Sequence, residues 1–384
     1  MIDRPLEQVS ARDITALVDA RTPEDRTLEF KRELPGSSPD DIKEFLADAT
    51  SFANTQGGDI LFGIDDRDGV AAAVRGLAGD RIDDEILRLE NLLRDGVEPR
   101  LSGARFAWIE VAPDRGVLLL RISSSLAAPH RVKFRNSARF HARNSRGKYE
   151  MDTFELRQAF AASEGFPAQI RALHAQAVAV GYGDAPGLPF HLTRDPAAVA
   201  TVVPMSALRE TRALPITREN ALAPVLSGSG FYTLNALEGV IAHAPVLPTP
   251  DEVDSRIASY AVTHWRGRTD SGWSLGGRRE VARGQTVQLV WPLRFENGLL
   301  DMGRSTVAKL GSLGIEGPWV VMVTVRGIKD HHLVLGDYDT SDPAWRDGAT
   351  LPELILEHVD ERSLQPIFEA FWLLFGQIRP PVPG

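Results

Sequence analysis

Along residues 1–163 the apolar positions switch between a period of three to four residues and a period of two. Residues 11–20 (ARDITALVDA) set Ile14, Leu17 and Val18 at helical spacing, whereas 27–31 (TLEFK) put Leu28 and Phe30 on one face of a short strand. A stronger helix follows. Ser38-Pro39-Asp40-Asp41 supplies a polar cap, a proline suited to the first turn and acids for the positive end of the helix dipole. Its stripe of Ile42, Phe45, Leu46, Ala49, Phe52 and Ala53 runs on to Asn54, and Gly57-Gly58 suits a left-handed stop. Residues 59–66 (DILFGIDD) then predict a buried strand ending in two acids, and 82–95 a helix through Ile86, Leu89 and Leu93. Four further strands are expected at 103–112, 116–123, 130–135 and 138–143, and a helix over 152–162 closes the unit.

Residues 165–186 read as a helical connector ending in the Gly/Pro-rich GYGDAPGLP. Beyond it, strands are expected near 187–205, 255–266, 286–295, 318–327 and 352–359, with helices around 298–313 and 363–376. The fold class is therefore α+β: a mixed α/β domain over 1–164, the connector, and a second α+β domain over 187–384. A chain of 384 residues suits two cores of ordinary size. No internal repeat relates the two.

Composition narrows the function classes. With 43% hydrophobic and 25% charged residues the chain has globular usage, which excludes a disordered or collagenous protein. The absence of cysteine excludes disulfides, thiolate zinc sites and a cysteine nucleophile, so any metal must be held by oxygen or imidazole. No apolar run is long enough to span a bilayer, and the start MIDRPLEQVSARD has neither a basic region nor an apolar one. A soluble, cytoplasmic protein with no membrane partner is expected. The net charge of −9 argues against a protein that coats nucleic acid non-specifically, and neither half is basic. Residues 130–149 are the exception, with seven Lys/Arg, two His and no acid. There Arg131, Lys133 and Arg135 alternate, as do Arg139, His141 and Arg143, and Arg146 and Lys148 follow. A ribbon lined by these side chains would repel itself unless an anionic partner offset the charge, which points to nucleic-acid phosphates. A solvated strand edge is the other reading.

Three acids, Glu24, Glu29 and Asp66, are the sharpest candidate constellation. Brought together at strand ends they need a cation or a shared proton, and hard oxygens suit Mg²⁺ or Mn²⁺. Spacing alone equally allows Glu29 to pair with Lys31 or Arg32 while Asp65 and Asp66 occupy a turn.

The stretches TLEFKREL, ADATSFANTQGGDILFGIDDRDG, APHRVKF and RFHARNSRGK resemble the motif series of the Schlafen AlbA-type domain, once described as a divergent AAA domain. The resemblance covers roughly residues 5–163. It implies a metal-dependent endoribonuclease that cuts structured RNA such as tRNA, with use in defence or stress control. Its carboxylate triad falls on Glu24, Glu29 and Asp66, holding Mg²⁺ or Mn²⁺, with Lys31 and Arg143 matching the family's lysine and late arginine. Arg131, Lys133, Arg135, Arg139, His141, Arg143, Arg146 and Lys148 would then grip the RNA backbone. The chain departs from the family in three respects: Arg143-Asn144-Ser145 lacks the usual glycine, no Cys/His zinc set exists, and one copy of the series stands where animal members have two. One copy points to a homodimer as the way to enclose RNA. The alternative function is a non-catalytic DNA- or RNA-binding regulator whose C-terminal half senses a ligand or partner.

Other candidates are weaker. No G-x-x-x-x-G-K-[ST] string exists to cradle a nucleotide, and GSLGIEG at 311–317 lacks the lysine. His331 and His332 near Asp330 and Asp337 form a possible metal group. Trp265, Arg266, Arg268, Trp273, Arg278, Arg279 and Arg283 interleave aromatics with cations as single-strand binders do.

Overall fold

The computed structural model describes residues 1–2, 4–101, 103–193, 196–208, 213–226, 228, 230–247, 256–281, 285–315, 317–336 and 339–381. The chain is α+β and divides into two units, the first being essentially Met1–Pro167 and the second lying in the remainder.

The first unit runs α1 (Ala11–Asp19), β1 (Leu28–Lys31), α2 (Pro39–Ala53), β2 (Gly58–Phe62), β3 (Ile64–Arg67), β4 (Val70–Val74), β5 (Leu77–Ala78), α3 (Ile82–Gly96), β6 (Val97–Glu98), β7 (Ala104–Ala112), β8 (Arg115–Ile122), β9 (Arg131–Phe134), β10 (Ser137–Asn144) and β11 (Gly147–Glu150). In the central sheet β1 pairs in parallel with β2, β2 antiparallel with β8, and β8 with both β5 and β7. Strand alternation sends Ile60 and Phe62 to one face, where they pack with Phe45, Leu46, Phe52, Leu89 and Leu93 of α2 and α3. Leu28, Phe30 and Leu61 face the other way, onto Ile2, Leu6 and Ile14. Because Leu28 and Phe30 take that face, Glu29 and Lys31 are sent to the side of α2.

Local chemistry sets these elements. Ser38 caps α2 by accepting from Asp41 N at 3.1 Å, a contribution of about 1 kcal/mol. At the other end Gly57 has φ +75, and a Cβ there would meet Ile122 O at 2.6 Å. The buried Asp59–Arg121 pair, with Arg121 Nε 2.8 Å from Asp59 Oδ1, ties β2 to β8, and Ile2 N donates to the same carboxylate at 2.7 Å.

The strand expected over 59–66 is broken. Gly63 (φ +102) ends β2 on Lys31 O and accepts from Arg75 N and Gly76 N, so β3 leaves the central sheet and pairs only with β4. Asp66 thus lies in a hairpin, not at the end of a sheet strand.

The helix expected over 152–162 and the connector after it are one helix, α4 (Thr153–Tyr182), with Pro167 at the division between units. In the second unit the main sheet follows the order Tyr232–Asn235, Gly239–His243, Ser259–His264, Thr269–Ser274, Ala197–Pro204, Trp319–Arg326, Ala349–Thr350. Its face toward α4 carries a sealed polar cluster. His174 of α4 bonds Thr201 Oγ1 at 3.0 Å and Thr324 Oγ1 at 2.9 Å, and Thr201 donates to Asp270 at 2.9 Å. Residues expected as a strand to 295 instead enter a helix at Pro292 (Pro292–Gly311), since proline suits a first turn and Phe295, Leu299 and Met302 form a buried stripe. Among the described residues no helix is long and apolar enough to cross a membrane.

Candidate functional site: a carboxylate and ammonium network at the edge of the central sheet

Glu29 and Lys31 leave β1 on the side of α2, where Asp48 faces them. Lys31 Nζ lies 2.6 Å from Glu29 Oε1 and 3.1 Å from Asp48 Oδ2, bridging the two carboxylates. The second oxygen of Glu29 pairs with Arg143 of β10, and the second oxygen of Asp48 lies 2.7 Å from Lys148 Nζ of β11. Lys148 also pairs with Glu44. Arg143 stacks on Phe52, 4.2 Å from the ring centroid, and its Nε is buried with no hydrogen-bond partner among the described residues. Burial pushes the Glu29 carboxyl up, but Lys31 and Arg143 outweigh it and hold the group below its ordinary value. Burial pushes Asp48 up, Glu29 adds to that, and its cations only partly offset them. Lys31 is held firmly protonated, because Asp48 and Glu29 overcome its burial.

Glu24 stands beside this network. The Pro23–Val70 bridge and the bond from Glu24 N to Gly69 O bring it to the β3–β4 turn. Its Oε1 accepts from Phe30 N at 2.8 Å. Half-buried, its carboxyl is raised by desolvation and further by the charges of Glu29 and Asp66. Asp66 is exposed and accepts from Gly69 N at 3.2 Å, while its neighbour Asp65 lies 3.4 Å from Arg32 and 3.9 Å from Arg75. The structure thus brings Glu29 and Lys31 into contact with Glu24 in electrostatic reach of them, and leaves Asp66, also in reach of Glu24, exposed at the rim.

Residues 24–152 match the Schlafen, AlbA_2 family. The chain carries a Schlafen AlbA-type domain. No curated protein matches the chain. Among solved structures it is similar to the crystal structure of the DIP2311 protein from Corynebacterium diphtheriae, at 15% identity over 38% of this chain and 30% of that one. The TM-score is 0.27, at which the likeness carries no argument. The Schlafen domain links the first unit with nucleic acid.

The Mg²⁺ or Mn²⁺ implied by the resemblance does not fit this Schlafen site as arranged. Both oxygens of Glu29 are taken by cations, one oxygen of Glu24 by Phe30 N and one of Asp66 by Gly69 N. Among the described residues no group of three or more His, Asp or Glu side chains is placed to hold a metal ion.

The basic ribbon forms, but its two alternating sets do not share a face. Arg131 lies opposite Phe140 and Arg139 opposite Val132, so Arg131 and Lys133 face one way and Arg139, His141 and Arg143 the other. The second set turns toward α2, which is why Arg143 and Lys148 are inside the carboxylate network rather than in solvent. His141 is half-buried beside them; desolvation and then Lys148 lower its basicity, and its Nδ1 is buried with no hydrogen-bond partner among the described residues. Acids outside the run compensate most of the rest. Arg131 pairs with Glu98 at 2.5 Å, Lys133 approaches it at 4.0 Å, and Arg139 lies 3.0 Å from Glu150. Arg135 and Arg146, exposed at the two hairpin tips, have no acidic partner among the described residues.

Sequence reasoning missed Asp48. The one signal was an acid at position 48 inside the buried stripe of α2, where only 2% of the residue is exposed. Several of the remaining candidates are taken up by the fold. His331 Nδ1 bonds Lys329 O and His332 Nδ1 bonds Ser341 O, and Asp337 lies outside the described residues. In the cation and aromatic series Trp273 is fully buried in the core and Arg268 is tied to Asp270 at 3.0 Å, while Arg283 lies outside the described residues.

Proposed function

We propose that the Schlafen-type unit binds structured RNA such as tRNA and cuts it, with use in defence or stress control. The observation that carries this reading is the half-buried Glu24 carboxylate, fixed by Phe30 N at 2.8 Å and within electrostatic reach of the Lys31 ammonium. A carboxylate raised above its ordinary value is a stronger base than a free one, which suits it to take a proton from a nearby hydroxyl. In the proposed step Glu24 removes the proton of an RNA 2′-OH, and the 2′ oxygen bonds to the adjacent phosphorus. The bond from phosphorus to the 5′ oxygen breaks, and solvent protonates that oxygen. The products are a 2′,3′-cyclic phosphate and a 5′-hydroxyl. Lys31, with 31% of its side chain exposed, offsets the charge gathering on the phosphoryl oxygens.

One experiment tests this: purified chain is incubated with total tRNA and the products are sized and end-mapped. Discrete fragments ending in cyclic phosphate, lost by at least a hundredfold in Glu24→Gln with unchanged melting, are expected. Equal cleavage by that variant would sink the assignment of Glu24. The single motif copy supports a homodimer as the enclosing form, and a light-scattering mass near 42.1 kDa with full RNA binding would remove that part.

A second reading has its own observation. Glu29, Asp48 and Glu44 are balanced by Lys31, Arg143 and Lys148, a closed charge set that suits a non-catalytic RNA- or DNA-binding regulator whose second unit senses a ligand or partner. RNA retained without any cleavage would decide for it.

A further inference from the structure

The disagreement between the expected metal and the observed site has a specific cause. Lys31 Nζ touches one oxygen of Glu29, from β1, and one of Asp48, from α2, at 2.6 and 3.1 Å. The remaining oxygen of each carboxylate is taken by Arg143 or Lys148. Glu29 side-chain exposure is 10% and that of Asp48 is 3%, so the pair sits where uncompensated charge is costly. Three cations against Glu29, Asp48 and Glu44 leave the set neutral. Even with the half-buried Glu24 carboxylate beside the set counted, adding a divalent ion would leave surplus positive charge in a poorly solvated place, so it would have to evict a side chain first.

We propose that Lys31 is the resident cation of this site, seated where a divalent ion would otherwise bridge Glu29 and Asp48, and that the first unit works without a divalent metal. The second half of this inference rests on the reading of the unit as acting on RNA; the first half does not. Asp48 is then a positioning residue. It holds the ammonium beside Glu24 from the helix side, while Glu29 holds it from the strand side.

The two halves separate experimentally. Mn²⁺ binding to the full-length chain without RNA is followed by calorimetry and by the electron paramagnetic resonance signal of free Mn²⁺. The wild type is expected to take up no stoichiometric Mn²⁺, whereas Lys31→Met should gain one ion at least tenfold tighter, because Glu29 and Asp48 lose their bridge. Lys31→Met/Asp48→Asn should lose that ion again, and it serves as the folded reference because it removes one charge of each sign. A wild-type site that binds one Mn²⁺ and is abolished by Asp66→Asn would overturn the proposal even if Lys31→Met failed to fold. A folded Lys31→Met that gains no Mn²⁺ would overturn it too. In the RNA arm, cleavage in EDTA should stay within twofold of that in Mg²⁺, and a loss of tenfold or more on chelation would refute metal independence. Absence of cleavage in both conditions would count against the RNA reading alone, leaving the Mn²⁺ result to stand.

Discussion

Each unit buries a polar network between a helix and a sheet, and these two are built from opposite materials. In the first, three cations and three carboxylates meet across β1, α2, β10 and β11, and Lys31 keeps a third of its side chain in solvent. In the second, an imidazole and hydroxyls join α4 to the sheet through His174, Thr201 and Thr324, each with 5% exposure or less, and the one carboxylate, Asp270, is answered by His264 at 2.6 Å and Arg268 at 3.0 Å. Neutral groups that satisfy one another can be sealed at little cost, and sealing fixes the helix on its sheet. Charged groups are costly to enclose and remain reactive where one of them reaches water. The difference separates a clamp from a site.

The comparison breaks most sharply at Glu29. Glu29→Gln removes the partner of Arg143, whose side chain is 2% exposed, and strips one of the two bridged carboxylates from Lys31. Leaving a buried guanidinium without its counter-charge costs about 3–5 kcal/mol. Denaturant unfolding should therefore show a large loss of stability along with loss of RNA cleavage. An unchanged midpoint would mean that Arg143 finds solvent and that the network is looser than its geometry. From the sequence alone, Glu29→Gln and Asp66→Asn look alike, near-isosteric changes that leave the fold intact. The structure parts them, since Asp66 is exposed and, among the described residues, is bonded to its own turn.

That contrast marks what the sequence could carry. Helix α2, its Ser38 cap, its Gly57 stop and strands β1, β7 and β8 were legible because each rests on local periodicity and local turn chemistry. Gly63 was read as part of a strand, since a glycine that breaks a strand looks the same as one that sits in it until the hydrogen bonds are known. The acidic partners of the 130–149 run were invisible for another reason. Glu98, Asp48 and Glu29 lie 33 to 114 residues away from the cations they pair with, and no window on the chain brings them together. The same holds for His174, which meets residues 27 and 150 positions distant.

The second unit's clamp makes the next prediction. Burial depresses His174 to about 4 from an ordinary 6.5. A base whose folded value is lowered is protonated first in the unfolded chain, so the stability it allows is present above pH 6.5 and is lost as pH falls toward 4. At about 1.4 kcal/mol per unit, the full loss is about 3 kcal/mol. Unfolding midpoints of the wild type and His174→Asn between pH 7 and 4 check it. The wild type should lose stability steeply across that window and the variant should not; parallel curves would assign the acid sensitivity elsewhere.

The smallest effect belongs to the hairpin tips of the first unit. Most cations of the ribbon already have acids, so few remain to release counterions from RNA. Arg135 and Arg146 are the exposed pair without acidic partners among the described residues, and the one ring contact, of Arg135 with Phe134 at 5.8 Å, is loose. Replacing both with Ala should leave melting unchanged and flatten the log–log dependence of RNA affinity on salt by about one unit per lost phosphate contact. Arg131→Ala, by contrast, should change the slope little, because Glu98 neutralises that guanidinium before any RNA arrives. If Arg131→Ala flattens the slope as much as the tip variant does, the ion pair opens on binding and the ribbon works as a continuous surface. If neither variant moves the slope, the phosphate contacts lie off the ribbon altogether, and Lys31, a third exposed beside Glu24, becomes the cation to test next.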